Sequence, residues 1–362
     1  MGQEHSDILE KIFGVFYNMS LTLAVLLRTR ELFTINDAVR GSLAAAFTDL
    51  LNMVTDVTIH YTKSRSAESS IEFDALFGRA LDKFFLHKDR VSDAMWNYQL
   101  ENASTNIVVS IESIRRFLAH NDHAVEVLLT NRLGTRSSRE EFTCEWFQSH
   151  LTNFLRSSDR VFLVTGKPGC GKSVLFEFLV ERLRRSQGRK QYDVISYSLD
   201  PDVKTENSPL SVVKALLLQL IERQIGDVKL YERISVAYRK ASTNASEIEV
   251  ENALWSALSS GIHTRDSNTN VVIAVDGLDH IGNEHVASRL LDRLHDITAK
   301  QERVKAIALS RPLKKPGSHH ARLFTIEASH TSEDLHHYAR SIIKGSSKLR
   351  GCLLYTSDAA DE

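Results

Sequence analysis

The sequence predicts an α/β fold with a five-stranded parallel sheet, preceded by an all-helical N-terminal domain. Three observations support this. In the second half of the chain, short apolar runs alternate with helical segments, the pattern of a parallel sheet covered by helices on both faces. A glycine-rich loop follows the first of these runs and opens a helix. Before residue 128, apolar residues recur at the three- and four-residue spacing of helices.

Composition limits the classes of partner. The chain has 362 residues, enough for two domains, with 42% hydrophobic and 25% charged residues. Its formal net charge of −1 gives no bulk attraction to nucleic acid or anionic membranes, so we expect no nucleic-acid partner. The three cysteines form neither a disulfide framework nor a metal-ligand pattern, which favours a reducing, cytoplasmic compartment.

One apolar stretch near the N-terminus, residues 12–27, could be either a membrane segment or a core helix. It is short for a bilayer span and contains polar residues, and acidic residues precede it where a secretory signal has basic ones. We read it as a buried core helix rather than a membrane-active segment. The sequence therefore predicts no transmembrane segment.

The chain divides into four parts. Residues 1–128 are predicted to form a bundle of five or six helices, and the polar stretch 129–141 a linker. Residues 142–345 form the sheet-containing domain. The end, 346–362, is predicted to be truncated, because 352–362 (CLLYTSDAADE) back-translates into a sequencing-adapter sequence and is excluded as an artefact. Two sets of apolar residues carry the helical prediction: Leu43, Phe47, Leu50, Leu51 and Val54, and Ile107, Ile111, Ile114 and Leu118.

The sheet domain shows a regular order of elements. Strands are predicted at 161–165, 194–199, 271–275, 304–309 and 323–326. Helices are predicted at 173–185, 210–224, 228–240, 247–260 and 284–299, with Ser208 and Pro209 as the N-terminal cap and first residue of the second. In a parallel sheet of this kind the ligand binds at the carboxyl ends of the strands.

The strongest chemical motif is GKPGCGKS at 166–173. It satisfies G-x-x-x-x-G-K-[ST] between a strand and a helix, the context that a phosphate-binding P-loop requires. Backbone N–H groups and the helix N-terminus then surround the phosphates. Lys172 is expected to reach the β- and γ-phosphates, and Ser173 to coordinate Mg²⁺. The sequence thus predicts a P-loop NTPase that binds ATP or ADP with Mg²⁺ through Gly166, Lys167, Pro168, Gly169, Cys170, Gly171, Lys172 and Ser173.

Two acidic residues follow the third predicted strand. Asp276 ends this buried strand and is predicted to bind the metal together with Ser173. Asp279 is the next acid along the chain and is a candidate to orient the attacking water; a solvated loop acid is the alternative reading.

A third candidate position follows the fourth strand. If this strand lies beside the P-loop strand, Ser310 and Arg311 come near the γ-phosphate, and Arg311 could sense a triphosphate through charge-assisted hydrogen bonds. An ordinary surface arginine is the alternative.

The order of several motifs resembles a known module: TCEWF (143–147), GKPGCGKS, SVVKALLLQLIERQIGD (211–227), LWSAL (254–258), DGLD (276–279) and ALSRP (308–312). Over about 142–345 this order is similar to the NACHT-type NTPase module of fungal STAND proteins and to the nephrocystin-3-like N-terminal domain family. The resemblance implies a signal-transducing ATPase whose ATP or ADP state controls self-assembly. It also implies that Lys172 and Ser173 correspond to Walker A, Asp276 to Walker B and Arg311 to the sensor.

One departure from the family pattern affects catalysis. The family usually has D-G-L-D-E, whereas His280 follows Asp279 here. Imidazole does not replace a glutamate as a general base, which puts fast hydrolysis in doubt and leaves binding intact.

Three classes of function remain open at this point. The leading hypothesis is a switch that binds ATP, hydrolyses it slowly, forms a homo-oligomer and contacts protein partners through its helical N-terminal domain. The alternatives are a nucleotide-binding scaffold without turnover and a P-loop kinase.

Overall fold

The computed structural model describes eight stretches of the chain: 37–63, 69–102, 109–119, 142–184, 192–199, 207–263, 270–313 and 321–345. The apolar stretch 12–27, the linker 129–141 and the end 346–362 lie outside these residues, so the predictions for them stay predictions. The chain forms two compact units, which are Met1–Thr135 with Leu217–Leu258, and Arg136–Leu216 with Ser259–Glu362. The domain boundaries drawn from the sequence also stay a prediction.

The described residues contain ten α-helices and five strands. The helices are α1 Asp37–Lys63, α2 Ser69–Asn102, α3 Ile111–Leu118, α4 Gln148–Arg156, α5 Lys172–Arg184, α6 Pro209–Arg223, α7 Val228–Ser242, α8 Glu247–His263, α9 Glu284–Ala299 and α10 Ala328–Gly345. The strands are β1 Val161–Gly166, β2 Tyr192–Ser198, β3 Asn270–Asp276, β4 Val304–Ser310 and β5 Ala321–Ile326. Short 3₁₀ helices occupy Glu145–Phe147 and Leu278–His280. No described helix is long and apolar enough to cross a membrane.

The first unit is helical wherever the structure describes regular elements. Helix α1 packs along α2, and α3 packs against α2 and α7. A partly buried ionic cluster links α2, α3 and α6: Glu222 near the end of α6 accepts hydrogen bonds from Lys88 of α2 at 3.1 Å and from Arg115 of α3 at 2.7 Å. Because both of its carboxylate oxygens are used, the partly buried Glu222 is a paired charge rather than an isolated one.

The buried face of α1 differs from the one that the sequence spacing indicated. Val39, Ala46 and Met53 are fully buried or nearly so, whereas Leu51 is 66% and Val54 40% exposed. A separation of seven residues is close to two helical turns, so the three buried residues share one stripe. Spacing alone could not decide which of two overlapping apolar stripes is covered. In α3, Ile111, Ile114 and Leu118 are buried as their spacing predicted.

The second unit contains an all-parallel, five-stranded sheet in the order β2-β3-β4-β1-β5. This confirms the predicted α/β fold with a five-stranded parallel sheet, and the observed strands and helices lie close to their predicted positions. The Ser208 hydroxyl accepts a hydrogen bond from the Ser211 N–H at 3.1 Å, and Pro209 is the first residue of α6, so the predicted cap is confirmed.

Helices cover the sheet on both faces. Helices α4 and α5 contribute to one core together with residues of all five strands, among them Phe162, Val194, Val272, Ile307 and Ile326. Helix α9 packs against β1 and β4 with its own buried apolar residues. Burial on both faces explains why the central strands are continuous apolar runs rather than alternating ones.

Candidate functional site

The carboxyl ends of the parallel strands bring the predicted site residues to one edge of the sheet. Strand β4 lies between β1 and β3, and Thr165 of β1 is paired in register with Ser310 of β4. The prediction for Arg311 required the fourth strand to lie beside the strand that precedes the glycine-rich loop. The observed strand order meets this requirement. Ser310 is fully buried, and its hydroxyl has no hydrogen-bond partner within the described ranges.

The glycine-rich loop 166–173 turns sharply between β1 and α5. Gly169 and Gly171 have φ angles of 75° and 82°, which residues with a Cβ rarely adopt. A side chain on Gly166 would lie 2.4 Å from the Cys170 sulfur and 3.3 Å from the Cβ of Ile326. The loop is therefore folded tightly over the end of β1, and the residues at its crown are exposed.

Lys172 reaches back across this loop from the first residue of α5. Its ammonium donates hydrogen bonds to the carbonyl oxygens of Gly166 and Lys167, both at 3.1 Å. No carboxylate pairs with Lys172 in the part of the chain that the structure describes. The full positive charge is thus held at the loop and at the N-terminus of α5, where an anion is favoured.

Asp276 is the last residue of β3 and is 3% exposed. Its carboxylate accepts a hydrogen bond from the Ser198 hydroxyl at 3.4 Å, and the Ser173 hydroxyl and the Gly277 N–H lie near enough to stabilise its charge. Burial raises the pKa of Asp276; these three polar groups oppose this rise, and the negative charge of Asp279 adds to it. Ser173 and Asp276, the two predicted metal ligands, are therefore in contact, and together they offer the oxygen ligands that Mg²⁺ prefers.

The contact of Ser198 with Asp276 was not predicted from the sequence. Ser198 ends β2, opposite Asp276 in the parallel pair of β2 and β3, and its hydroxyl lies 3.4 Å from the Asp276 carboxylate. The available signal was the alternation of Ser196 and Ser198 with apolar residues in a strand that is otherwise buried. The register of β2 against β3, which identifies the partner, is not readable from the sequence.

Asp279 and Arg311, the two residues predicted to act in catalysis, are bound to each other. Arg311 donates from its side-chain Nε to one carboxylate oxygen of Asp279 at 2.9 Å and from its backbone N–H to the other at 3.0 Å. The Asp279 side chain is 11% exposed and that of Arg311 is 52% exposed. Asp279 is therefore not a freely solvated loop acid, because both of its oxygens are occupied.

His280 lies beside this pair in the 3₁₀ helix Leu278–His280. Its Nε2 is 3.8 Å from an oxygen of Asp279. Gly277, which starts the turn with a φ of 78°, leaves room for the imidazole, because a Cβ there would lie 2.8 Å from the His280 ring. The imidazole thus stands next to the candidate base, where the family pattern has a carboxylate.

The segment before the glycine-rich loop is anchored to the end of the same unit. The Asp334 carboxylate of α10 accepts hydrogen bonds from the Cys144 N–H at 2.9 Å and from the indole N–H of Trp146 at 3.0 Å. The Trp146 ring stacks on His330 with 5.1 Å between centroids. Helix α10 therefore holds the start of the 142–147 segment in place.

A family model described as nephrocystin 3, N-terminal, matches residues 142–311. Residues 142–311 are therefore similar to the nephrocystin 3 N-terminal family. The family match confirms that part of the predicted resemblance and begins at the predicted residue, but it ends at Arg311 rather than near 345. No curated protein matches the chain.

The segment that matches this family contains every residue that the sequence assigned to the site. The glycine-rich loop, Asp276, Asp279 and Arg311 all lie between 142 and 311, and they meet at one edge of the sheet. Asp334, which anchors Cys144 and Trp146, lies beyond the matched residues. The compact unit that holds the site thus extends past the family match.

Proposed function

We propose that this protein binds Mg·ATP at the glycine-rich loop, hydrolyses it slowly, and uses its nucleotide state to control self-assembly. The observation that carries the proposal is the contact between Ser173 and Asp276 at the end of a loop that already holds the ammonium of Lys172. A phosphate chain needs a cation and backbone donors, and Mg²⁺ needs hard oxygen ligands. These groups follow or end β1 and β3, the two strands that flank β4.

Each group has a defined part in this proposal. Lys172 binds the β- and γ-phosphates, and Ser173 and Asp276 bind the metal and its water shell. When bound, Mg²⁺ would neutralise charge on the phosphate oxygens. Hydrolysis joins a water oxygen to the γ-phosphorus and breaks the bond to the bridging oxygen, giving ADP and inorganic phosphate, while a base accepts the water's proton. Asp279 is the base that we propose.

Slow rather than fast turnover is favoured by the surroundings of Asp279. Both of its oxygens are bound by Arg311, and His280 occupies the position of the family's glutamate. A base whose lone pairs are engaged accepts a proton less readily. The same observation supports a second candidate function, a nucleotide-binding scaffold without turnover.

Binding, turnover and assembly can be measured separately on the full chain. Calorimetric titration with Mg·ATPγS and Mg·ADP gives affinity, phosphate release gives turnover, and light scattering of the nucleotide-loaded protein gives mass. We expect binding of both nucleotides, a turnover of well below one per second against typical enzyme values of about 10 per second, and a larger mass with Mg·ATPγS than with Mg·ADP. Binding without phosphate release would favour the scaffold. A protein that binds neither Mg·ATPγS nor Mg·ADP would refute the proposal.

A further inference from the structure

The ion pair between Asp279 and Arg311 connects the two residues that are candidates for catalysis. Asp279 follows β3 and Arg311 follows β4, and these strands are neighbours in the sheet. The carboxylate is almost buried and receives the backbone N–H of Arg311, which does not leave when the side chain moves. The guanidinium is half exposed and uses only Nε in this pair. Within the described residues its two terminal nitrogens have no acceptor.

We propose that the Arg311 side chain is shared between Asp279 and the γ-phosphate, so that the pair opens for a triphosphate and stays closed with a diphosphate. This inference rests on the proposed function. The γ-phosphate carries more negative charge than a carboxylate and offers several oxygens to the planar guanidinium, so it competes well for Arg311. Opening the pair frees only one oxygen of Asp279 for the attacking water, because the backbone N–H of Arg311 still binds the other.

The strength of the pair suits such an exchange. An arginine–carboxylate pair that is half exposed changes an equilibrium constant by roughly fivefold or less. A bound γ-phosphate can therefore displace the carboxylate without a large loss of affinity. A fully buried pair, in contrast, would resist exchange, since its opening would leave an uncompensated charge.

Nucleotide affinities of four proteins test the exchange without any measurement of turnover. These are the wild type, Asp279→Asn, Arg311→Ala and the double variant, each titrated with Mg·ATPγS and with Mg·ADP. Asp279→Asn removes the competitor for Arg311, so we expect the preference for Mg·ATPγS over Mg·ADP to rise by about two- to fivefold. In the Arg311→Ala background the same substitution should raise this preference by less.

The double variant separates exchange from simple charge repulsion. Repulsion between Asp279 and the γ-phosphate would also make Asp279→Asn favour the triphosphate, but this effect would be equal or larger once Arg311 is absent. The inference would be overturned if Asp279→Asn raised the preference for Mg·ATPγS over Mg·ADP equally or more in the Arg311→Ala background. Asp159→Asn is the matched control. Asp159 precedes β1, at the end of that strand opposite the glycine-rich loop, and its carboxylate lies 3.8 Å from Arg322. The nucleotide preference of Asp159→Asn should equal that of the wild type.

The outcome also distinguishes this inference from the proposed function. A wild type that binds neither nucleotide refutes both. The exchange alone is refuted if the wild type binds both nucleotides but Asp279→Asn raises the preference for Mg·ATPγS no more in the presence of Arg311 than in its absence.

Discussion

Ser198 and Asp276 lie side by side at the ends of two paired strands, with the Ser198 hydroxyl 3.4 Å from the Asp276 carboxylate. The backbone repeats this pairing, because the Leu199 N–H donates to the Asp276 carbonyl at 3.0 Å. Ser173 approaches the same carboxylate from α5. Asp276 is thus held between two hydroxyls while burial raises its pKa, an arrangement that costs stability.

Asp276→Asn should weaken nucleotide binding and stabilise the free protein. Titrations with and without EDTA should show a larger loss of affinity in Mg²⁺, because the carboxylate faces the metal side of the site. Equal losses in both conditions would mean that Asp276 does not bind the metal. Because folding raises this pKa, the ionised group opposes folding; the penalty grows as pH rises from the unfolded pKa to the folded pKa and is complete above it. At neutral pH we expect Tm to rise by about 2–4 °C, the shift that about 1 kcal/mol gives a domain of this size. Below pH 3 the difference should vanish.

Ser198→Ala should shift the pH dependence of metal-assisted binding. The Ser198 hydrogen bond lowers the pKa of Asp276, so its loss raises this pKa further. Metal binding needs the ionised carboxylate and is lost as pH falls through the pKa, so the midpoint of this loss should move to higher pH. At neutral pH we expect affinity to fall by about two- to tenfold, the effect of one hydrogen bond of ordinary strength.

Ser196→Ala is the matched control for this experiment. Ser196 lies on the same face of β2, and its hydroxyl accepts a hydrogen bond from Arg184 at 3.3 Å. An unchanged midpoint in Ser196→Ala and a raised one in Ser198→Ala is the expected pair of results. The same midpoint in both variants would remove Ser198 from the site.

Lys172→Ala should abolish nucleotide binding without unfolding the protein. The ammonium contacts only loop carbonyls among the described residues, so its removal leaves no buried carboxylate unpaired. Loss of two charge-assisted contacts to phosphate should weaken a fluorescent ATP analogue by about 100-fold or more. Lys167→Ala, in the same exposed loop, controls for loss of a positive charge and should bind nearly as the wild type does. Retained affinity in Lys172→Ala at matched circular dichroism would refute the role of the loop.

Asp334→Ala should destabilise the unit that contains the sheet. The substitution leaves the Cys144 N–H and the Trp146 indole N–H without their acceptor, at a cost of about 1–3 kcal/mol. Thermal unfolding should therefore occur at lower temperature than in Glu333→Ala, a substitution at the neighbouring exposed position of α10. Equal Tm values for the two variants would show that the anchor contributes nothing.

Local sequence patterns predicted the sheet and the glycine-rich loop well. The apolar runs that became the strands are bounded by turn residues, and burial on both faces makes the runs of the central strands β1, β3 and β4 distinctive. The loop needs its glycines and its lysine at fixed spacing, which the sequence displays directly. The position of Asp276 also follows from its strand alone.

Contacts between distant segments could not be predicted in the same way. The partnership of Asp279 with Arg311 depends on β3 and β4 being neighbours, and the contact of Ser198 with Asp276 depends on strand register. The buried stripe of α1 depends on which side α2 covers. Each of these is decided by packing across the fold rather than by spacing along the chain.

The final prediction concerns the rate of hydrolysis and the imidazole beside Asp279. Asp279→Asn should remove the slow turnover, because the amide cannot accept the water's proton. His280→Glu should raise the single-turnover rate while affinity stays nearly unchanged, since a carboxylate at this position can act as the base that Arg311 does not occupy. General-base assistance typically contributes about 10²- to 10⁴-fold, which bounds the expected gain.

Single-turnover hydrolysis with protein in excess over ATP separates these cases. His285→Glu supplies the matched control, because it adds the same charge at an exposed position near the start of α9, and its rate should equal the wild type's. If His280→Glu changes nothing and Asp279→Asn removes turnover, Asp279 alone is the base. Fast turnover in the wild type that neither substitution alters would place the base elsewhere, because a group whose loss leaves the rate unchanged does not take the proton in the rate-limiting step.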